Sequence, residues 1–285
     1  MKVKFSIVVL LLLSVCSVCT AQPAATAWSR VTQPAKTGDV ARSIGTYTAG
    51  CLRGAVSLPE NGAGYQLMRL SRNRVYGHPD LINFIKHIGQ AAALQQWGVL
   101  LIGDLGQPRG GPTLTGHRSH QTGLDVDIWY LLSDVAAMRS LRFDERETWS
   151  APSVLFHKSD QINPAQWSIA HEQVLEAAAR SPEVERIFVH PGVKRQLCTR
   201  KTAHDWLNKI RPWWGHDDHF HVRLKCPLNN PDCRGQEAIP EGDGCDATLA
   251  WWFSEEARQR LAEIRKQPPA PLPLLPTLCD VVLGE

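Results

Sequence analysis

The sequence lacks the short motifs that mark several common enzyme classes. It has no HExxH pair, which excludes the helix-based metalloproteases, and no GxSxG turn of the serine hydrolases. The glycine-rich stretch at Gly110 and Gly111 lacks the GK[ST] ending of a phosphate-binding loop. Catalytic residues must therefore be sought in another arrangement.

An excess of charge is also missing. The chain has 31 basic and 28 acidic residues, a formal net charge of +3 with histidine neutral. A nearly neutral protein carries no broad basic field for nucleic acid, so we expect no nucleic-acid partner. The composition, 43% hydrophobic and 21% charged, is typical of a globular protein.

Long hydrophobic runs are absent after the first segment, residues 1–21. This segment has the features of a secretory signal peptide, because Lys2 and Lys4 precede an apolar run and small Ala21 stands at its end. The run is too short for a membrane anchor, and a lipoprotein site is disfavoured because valine precedes each cysteine here. We predict export to the periplasm with cleavage after Ala21, which leaves no membrane-spanning segment and lowers the net charge to +1.

Cysteines are few, and two of the eight lie in the predicted signal peptide. The mature chain keeps the remaining six, which are Cys51, Cys198, Cys226, Cys233, Cys245 and Cys279. An even number in an exported chain predicts three disulfides, although sequence alone leaves many pairings open. Cys226 and Cys233 bracket a turn-like segment, which favours a local loop between them. No CxxC pair occurs after residue 21, so a zinc-ribbon cluster is disfavoured.

The hydrophobic patterns predict a mixed α+β fold. Apolar residues recur at helical spacing over 78–96 and 164–181, and residues 202–210 suggest a further short helix. Residues 99–102 form a short apolar run, and residues 219–225 alternate as a half-buried strand does. We predict a central, mainly antiparallel sheet flanked by helices.

Both ends of the mature chain show little periodicity. Residues 22–45 are mixed and polar, and we predict an irregular arm. Residues 226–285 are rich in proline, glycine and cysteine, with a polyproline-like run at 268–276. We expect an irregular C-terminal strap, pinned by disulfides, within a single domain spanning residues 22–285.

Two histidines stand two positions apart in the predicted strand 219–225. Side chains alternate faces along a strand, so His219 and His221 point the same way, while Phe220 and Val222 point into the core. Two neighbouring imidazoles repel each other when protonated, and apolar residues would pack better there. A metal ion or a charged ligand gives a reason for the pair.

A second chemical cluster lies upstream. His120 belongs to a glycine-rich loop, and Asp127 stands in a run of β-branched residues where aspartate is disfavoured unless it has a cationic partner. With His221 they supply the three nitrogen and oxygen ligands of a catalytic zinc site, which keeps its fourth position for water. His219 would then remove a proton from this water or stabilise an oxyanion. Asp125 shares a face with Asp127, and we expect it to support a ligand rather than to bind the metal.

The spacing HxxxxxxD, followed far downstream by HxH, resembles a group of zinc metallopeptidases that includes lysostaphin-type endopeptidases, D-Ala-D-Ala carboxypeptidases and the hedgehog signalling domain. The segments SHQTGLDVDI, YGHPDL, LIGDLG, RIFVHP, DWLNKIRPW and GDGC are similar to those of the penicillin-insensitive murein endopeptidase family. This likeness runs over nearly the whole mature chain.

The resemblance implies a periplasmic zinc hydrolase that cleaves D-alanyl-meso-diaminopimelyl cross-bridges of peptidoglycan without a serine nucleophile. Carried over by position, it places zinc ligands at His120, Asp127 and His221 and a further metal-associated histidine at His117. It also places the catalytic histidine at His219 and another histidine lining the cleft at His216.

The resemblance further implies a disulfide pairing and one departure. The family's cysteine spacing would join Cys51 to Cys279, Cys198 to Cys245 and Cys226 to Cys233. The family can carry a second metal-binding Asp–His pair. In this chain the order is reversed, with His157 before Asp160, so we do not expect a second metal there.

Two other functions remain compatible with the residues. A D,D-carboxypeptidase or D-Ala-D-Ala dipeptidase on the same scaffold would need a basic residue closing one end of the cleft. A zinc-stabilised binding module without catalysis would not need His219 beside the metal.

Overall fold

A computed structural model describes residues 21–35, 40–115, 117–201, 204–268 and 270–285, with the side chains of residues 21–24 excepted. The predicted signal peptide lies outside this part of the chain except for Ala21, which begins the first helix. The helices are, in chain order, α1 Ala21–Ser29, α2 Pro79–Leu94, α3 Asp134–Met138, α4 Phe143–Thr148, α5 Ile169–Arg180, α6 Pro191–Cys198, α7 Ala247–Trp251, α8 Glu255–Lys266 and α9 Leu278–Gly284.

The strands form one large sheet and two small ones. In chain order they are β1 Arg42–Thr46, β2 Ala49–Arg53, β3 Val56–Ser57, β4 Asn61–Gly62, β5 Tyr65–Leu67, β6 Tyr76–Gly77, β7 Leu100–Ile102, β8 Asp125–Trp129, β9 Val184–Val189, β10 Ile210–Pro212 and β11 His219–Leu224. The large sheet has the order β10-β9-β11-β8-β7-β5-β4, while β1 pairs with β2 and β3 with β6. Only β9–β10 and β5–β7 are parallel in the large sheet, so the predicted mainly antiparallel sheet is confirmed.

The hydrophobic core lies between one face of this sheet and the helices α2 and α5. Apolar residues at helical spacing on α2 and α5 meet the inward side chains of β8 and β11. These core residues include Leu81, Phe84, Ile85, Ile88, Val174, Leu175, Val126, Ile128, Phe220 and Val222. The opposite face at the middle of the sheet is left for polar side chains.

Several element boundaries differ from the prediction. The prediction of an irregular arm over 22–45 is wrong, because α1 lies there and β1 begins at Arg42. The predicted helix 164–181 begins later, at Ile169, where Ser168 caps it. Of the helix predicted over 202–210, Thr202 and Ala203 lie outside the described residues. The rest holds only a 3-10 turn, Leu207–Lys209, before β10 begins.

The C-terminal tail is more regular than expected. It contains α7, α8 and α9, whereas residues 226–246 and the described residues between α8 and α9 form no helix or strand. Disulfides join Cys51 to Cys279, Cys198 to Cys245 and Cys226 to Cys233, which confirms the implied pairing. Within the described ranges, no helix combines the length and apolar character needed to cross a membrane.

Candidate active site

The central strands β8 and β11 bring four side chains together, namely the predicted site residues Asp125, Asp127 and His221, and Arg223. They pair antiparallel with His221 opposite Asp127 and Arg223 opposite Asp125. Directly opposed residues in such a pair have neighbouring side chains. The alternation predicted from sequence is confirmed, because Phe220 belongs to the core while these four face the other side of the sheet.

The loop before β8 carries His117 and His120 to the same place. Its anchor is the buried Gln121, whose side-chain oxygen accepts from the Gly50 amide at 3.1 Å. The side-chain nitrogen of Gln121 donates to the carbonyl oxygen of Thr48 at 2.9 Å, so the loop is tied to β2 and the turn before it. His120 adopts a φ of 67°, a left-handed conformation that is uncommon outside glycine and often marks a functional position.

The ligand atoms of His117, His120, Asp127 and His221 all lie within 4.8 Å of one another. Asp127 stands at the centre. Its Oδ2 lies 3.0 Å from Nε2 of His117 and 3.5 Å from Nε2 of His120, and its Oδ1 lies 3.1 Å from Nδ1 of His221. We call these four residues the His/Asp cluster.

The unsatisfied atoms of the cluster suit a cation. Both ring nitrogens of His120 and the Oδ1 atom of Asp127 are buried without a hydrogen-bond partner. A buried polar atom left unpaired is costly, and a cation could satisfy the lone pairs of one His120 nitrogen and of Asp127 Oδ1. Imidazole nitrogens and a carboxylate are ligands of divalent transition metals, so the His/Asp cluster could hold a metal ion.

The charges in the cluster are interdependent. Burial opposes ionisation of Asp127, but the surrounding histidines, with His120 the strongest, hold its pKa well below the usual value. Burial would also lower the pKa of His117, yet the charge of Asp127 outweighs it and raises that pKa. Burial prevails at His120 and lowers its pKa, which favours the neutral imidazole that a metal requires.

Asp125 contacts His221 of the cluster through a hydrogen bond, as expected for a residue that supports a ligand. Its Oδ1 lies 2.7 Å from Nε2 of His221 and accepts from Nε of Arg223 at 2.6 Å. Arg223 is in turn stacked on the ring of Tyr47, with its Cζ 3.4 Å from the ring centroid. Although full burial opposes ionisation of Asp125, Arg223 and then His221 keep its pKa below the usual value. The carboxylate therefore stays charged and fixes the orientation of His221.

His219 lies beside the cluster, and only one of its two ring nitrogens has a hydrogen-bond partner. Its Nδ1 is 2.5 Å from Oδ1 of Asp218, whereas its Nε2 is buried without a hydrogen-bond partner and lies 3.7 Å from Oδ1 of Asp127. Burial would lower the pKa of His219, but the charges of Asp127 and Asp218 raise it. This histidine can exchange a proton at Nε2 next to the cluster.

His216 also reaches the site, with its ring 4.9 Å from that of His219. Its Nδ1 lies 3.2 Å from the carbonyl oxygen of Trp214. Burial, together with the charges of His219 and His221, lowers the pKa of His216 to about 3, so its ring is neutral near pH 7.

Two cavities adjoin the His/Asp cluster, and His117 lines both. The larger, of about 530 Å³, has aromatic walls from Tyr47, Phe188 and Trp213. The smaller, of about 210 Å³, is lined by Arg69, Arg72, Asp104 and Trp129 on the side of Asp127 and His219. Both cavities therefore give access to residues of the cluster.

Sequence reasoning missed some residues of this site. Tyr47, Phe188 and Gln236 line the larger cavity but come from distant parts of the chain, and no local pattern marks them. Trp213, which lies shortly before β11 in the chain, also lines this cavity.

His157 and Asp160, the pair considered for a second metal, belong to no group of potential metal ligands among the described residues. His157 is exposed, and Oδ1 of Asp160 lies 3.9 Å from Nε2 of His190. Within the described ranges, the other group of potential ligands is His204, Asp243 and Cys245. The Cys245 sulfur is already used in a disulfide, so that group is incomplete.

The sequence is similar to curated proteins over most of its length. A protein of Haemophilus influenzae named penicillin-insensitive murein endopeptidase is 40% identical over 90% of this chain and 88% of its own. Proteins of the same name from Klebsiella pneumoniae and Yersinia enterocolitica are 40% and 42% identical, covering 92% and 88% of each chain. The family model for penicillin-insensitive murein endopeptidase matches residues 43–284. The chain therefore belongs to the penicillin-insensitive murein endopeptidase family.

Proposed function

We propose that this protein is a periplasmic zinc endopeptidase that hydrolyses the D-alanyl-meso-diaminopimelyl cross-links of peptidoglycan. The observation that carries the proposal is the His/Asp cluster, four convergent ligands with both nitrogens of His120 buried and unpaired. Membership of a family of murein endopeptidases supports the substrate and the hydrolytic reaction. The signal-peptide features of residues 1–21 support export.

The proposed zinc ligands are His120, Asp127 and His221, with His117 as a further ligand. Three histidines and one carboxylate match the nitrogen and oxygen ligands that zinc prefers. A zinc ion held there would supply an acidified water and would polarise the scissile carbonyl group.

His219 is the proposed proton carrier. With Nδ1 held by Asp218, its free Nε2 takes a proton from the attacking water and later gives it to the leaving amine. His216 packs against His219 and stays uncharged, which keeps a second positive charge away from the carrier.

Cleavage inside a chain, rather than at its end, is supported by the two cavities. A carboxypeptidase site is closed at one end, whereas here the cluster borders two cavities, one of about 530 Å³ and one of about 210 Å³. A binding module without catalysis gives no reason for the unpaired Nε2 of His219.

The experiment that tests the proposal is digestion of purified sacculi and of cross-linked and uncross-linked muropeptides, with chromatographic separation of products. We expect cross-linked dimers to become monomers, activity to be lost on chelation and restored by zinc, and about one zinc per chain by elemental analysis. Release of terminal D-alanine alone, with dimers intact, would contradict the endopeptidase.

A further inference from the structure

The smaller cavity beside the His/Asp cluster carries positive charge that the proposed mechanism does not use. Arg69 and Arg72 line it together with Asp127 and His219. The larger cavity is also lined by two arginines, Arg118 and Arg223, but Arg223 is bound to Asp125 and the walls there are largely aromatic. The two cavities therefore differ in the aromatic groups that they offer to a substrate.

Arg72 is held in place without being neutralised. Its Nη1 donates to both carboxylate oxygens of Asp104, at 3.2 and 3.0 Å, and the same carboxylate accepts from Nη1 of Arg74 at 2.8 Å. The single negative charge of Asp104 thus faces the two positive charges of Arg72 and Arg74, so this group of three residues has a net charge of +1. The Arg72 side chain is 48% exposed, so its remaining donors are open to a ligand.

The backbone places this charge next to the cluster. The amide of Asp127 donates to the carbonyl oxygen of Asp104 at 3.1 Å, and the amide of Gly103 donates to that of Asp127 at 2.8 Å. Asp104 therefore lies on the chain segment adjacent to Asp127. A Cβ atom at Gly103 would lie only 3.0 Å from Nε1 of Trp129. Glycine avoids this close contact and leaves the cavity wall without a side chain at this position.

Arg69 adds a second donor from the same wall. It adopts a left-handed backbone conformation with φ 57°, and its Nη2 donates to the carbonyl oxygen of Trp149 at 2.7 Å. The acidic groups nearby already have partners. Glu147 accepts from the amide and hydroxyl of Ser71, and Asp218 holds His219.

The chemistry of the proposed cross-link supplies a matching group. The amine released on cleavage belongs to a diaminopimelate centre, and the carbon that bears this amine also bears a free carboxylate. His219, which would protonate the amine, lines the smaller cavity, so the leaving residue and its carboxylate belong on this side. Guanidinium groups recognise carboxylates through two parallel hydrogen bonds.

We infer that Arg72, assisted by Arg69, binds the α-carboxylate of the residue released as the amine and thereby selects an acidic leaving residue. The inference rests on the proposed endopeptidase function and names a substrate determinant within it. Asp104 is the positioning residue, because it holds Arg72 and is itself fixed beside Asp127.

The experiment compares two substrates, a cross-linked muropeptide dimer and the same dimer amidated at that carboxylate. For the wild-type zinc-loaded enzyme, we expect kcat/KM to fall roughly 10- to 100-fold on amidation, as for loss of a charge-assisted hydrogen bond. Arg72→Ala should lose a similar factor on the acidic dimer and little on the amidated one. Arg72→Lys should retain part of the preference, because it keeps the charge but not the paired donors.

The matched control is Arg258→Ala, an exposed arginine on α8 that pairs with Glu255. It should keep the wild-type preference, and zinc content and thermal unfolding should show that the Arg72 variants are folded. Equal loss on both substrates in folded Arg72→Ala, or no effect of amidation on wild type, would overturn the inference while leaving the endopeptidase intact. Failure of the wild type to cleave either dimer would instead remove the proposed function, and the inference with it.

Discussion

Asp125 and His221 are joined across the central strands by a 2.7 Å contact between Oδ1 and Nε2, which decides how the imidazole faces the His/Asp cluster. With Nε2 directed to Asp125, Nδ1 is turned toward Asp127 at 3.1 Å. The carboxylate thus selects the ring nitrogen that is available to a metal. Arg223 keeps Asp125 charged. Asp125 is not a proposed metal ligand, but it orients His221, which is.

Replacing Asp125 with Asn should weaken zinc binding. The amide oxygen can still accept from His221, but the negative charge that holds the ring and raises its basicity is lost. We expect the zinc affinity to fall roughly 10- to 100-fold, the usual effect of losing such a support. Competition with a chromophoric chelator measures it directly.

The control for this variant is Asp134→Asn, at an exposed position in the first turn of α3. It should leave the zinc affinity unchanged. Because Asp125→Asn also leaves Arg223 buried without its anionic partner, thermal unfolding of the zinc-free protein must be measured in parallel. Unchanged zinc affinity in a folded Asp125→Asn variant would contradict the role given to this contact.

Replacing His219 with Ala should abolish cleavage without removing the metal. His219 moves the proton in the proposed mechanism, and loss of such a group costs roughly 100- to 10,000-fold in rate. We expect kcat on a cross-linked dimer to fall by this factor while zinc content stays near that of the wild type. His87→Ala, on the exposed face of α2, is the matched histidine control and should keep full activity. A cleavage rate near wild type in His219→Ala would assign the proton transfer to another group.

The part of the site that could be predicted from sequence is the part set by local periodicity. Alternation along β11 placed His219 and His221 on one face and Phe220 in the core, because strand side chains alternate whatever the rest of the fold. The same rule placed Asp125 beside Asp127. The directly opposed pairing of His221 with Asp127 could not be predicted, because register depends on long-range pairing of the two strands.

Residues that act through tertiary contact left no local signal. Arg72 and Asp104 stand 32 positions apart, and only their meeting beside Asp127 gives them a role. Tyr47 reaches Arg223 from the turn between β1 and β2, just after the residues 22–45 for which an irregular arm was predicted. The tail helices were missed because proline and glycine recur along residues 226–285, although the stretch between Gly244 and Pro268 is long enough to form α7 and α8.

The Cys51–Cys279 disulfide should stabilise the fold more than the Cys226–Cys233 disulfide. The first closes a sequence separation of 228 residues and the second one of 7, and a longer loop loses more entropy when the unfolded chain is cross-linked. Replacing both cysteines with alanine should lower the free energy of unfolding by about 5 kcal/mol for the first pair and about 2 kcal/mol for the second. Guanidinium unfolding of the two double variants measures the difference, and an equal loss in both would contradict the ranking.

Lys194 should make the stability of the protein depend on pH in the alkaline range. Its side chain is fully buried in α6, where Nζ donates to the carbonyl oxygens of Leu207 and Asp243. Burial, aided by the nearby charge of Arg211, lowers the pKa of Lys194 from 10.5 to about 8. Between these two values the unfolded chain binds a proton that the native chain does not, so stability rises with pH across this window.

The expected gain in unfolding free energy from pH 8 to pH 10.5 is as much as about 3 kcal/mol, because each tenfold change in proton affinity corresponds to about 1.4 kcal/mol. Lys194→Met removes the titrating group, so the difference in unfolding free energy between wild type and variant should change by this amount across the window. Below pH 8 that difference should be constant, because Lys194 is then protonated in both states. Lys266→Met, exposed at the end of α8, is the control and should run parallel to wild type. A parallel curve for Lys194→Met as well would show that burial does not lower the pKa of this lysine.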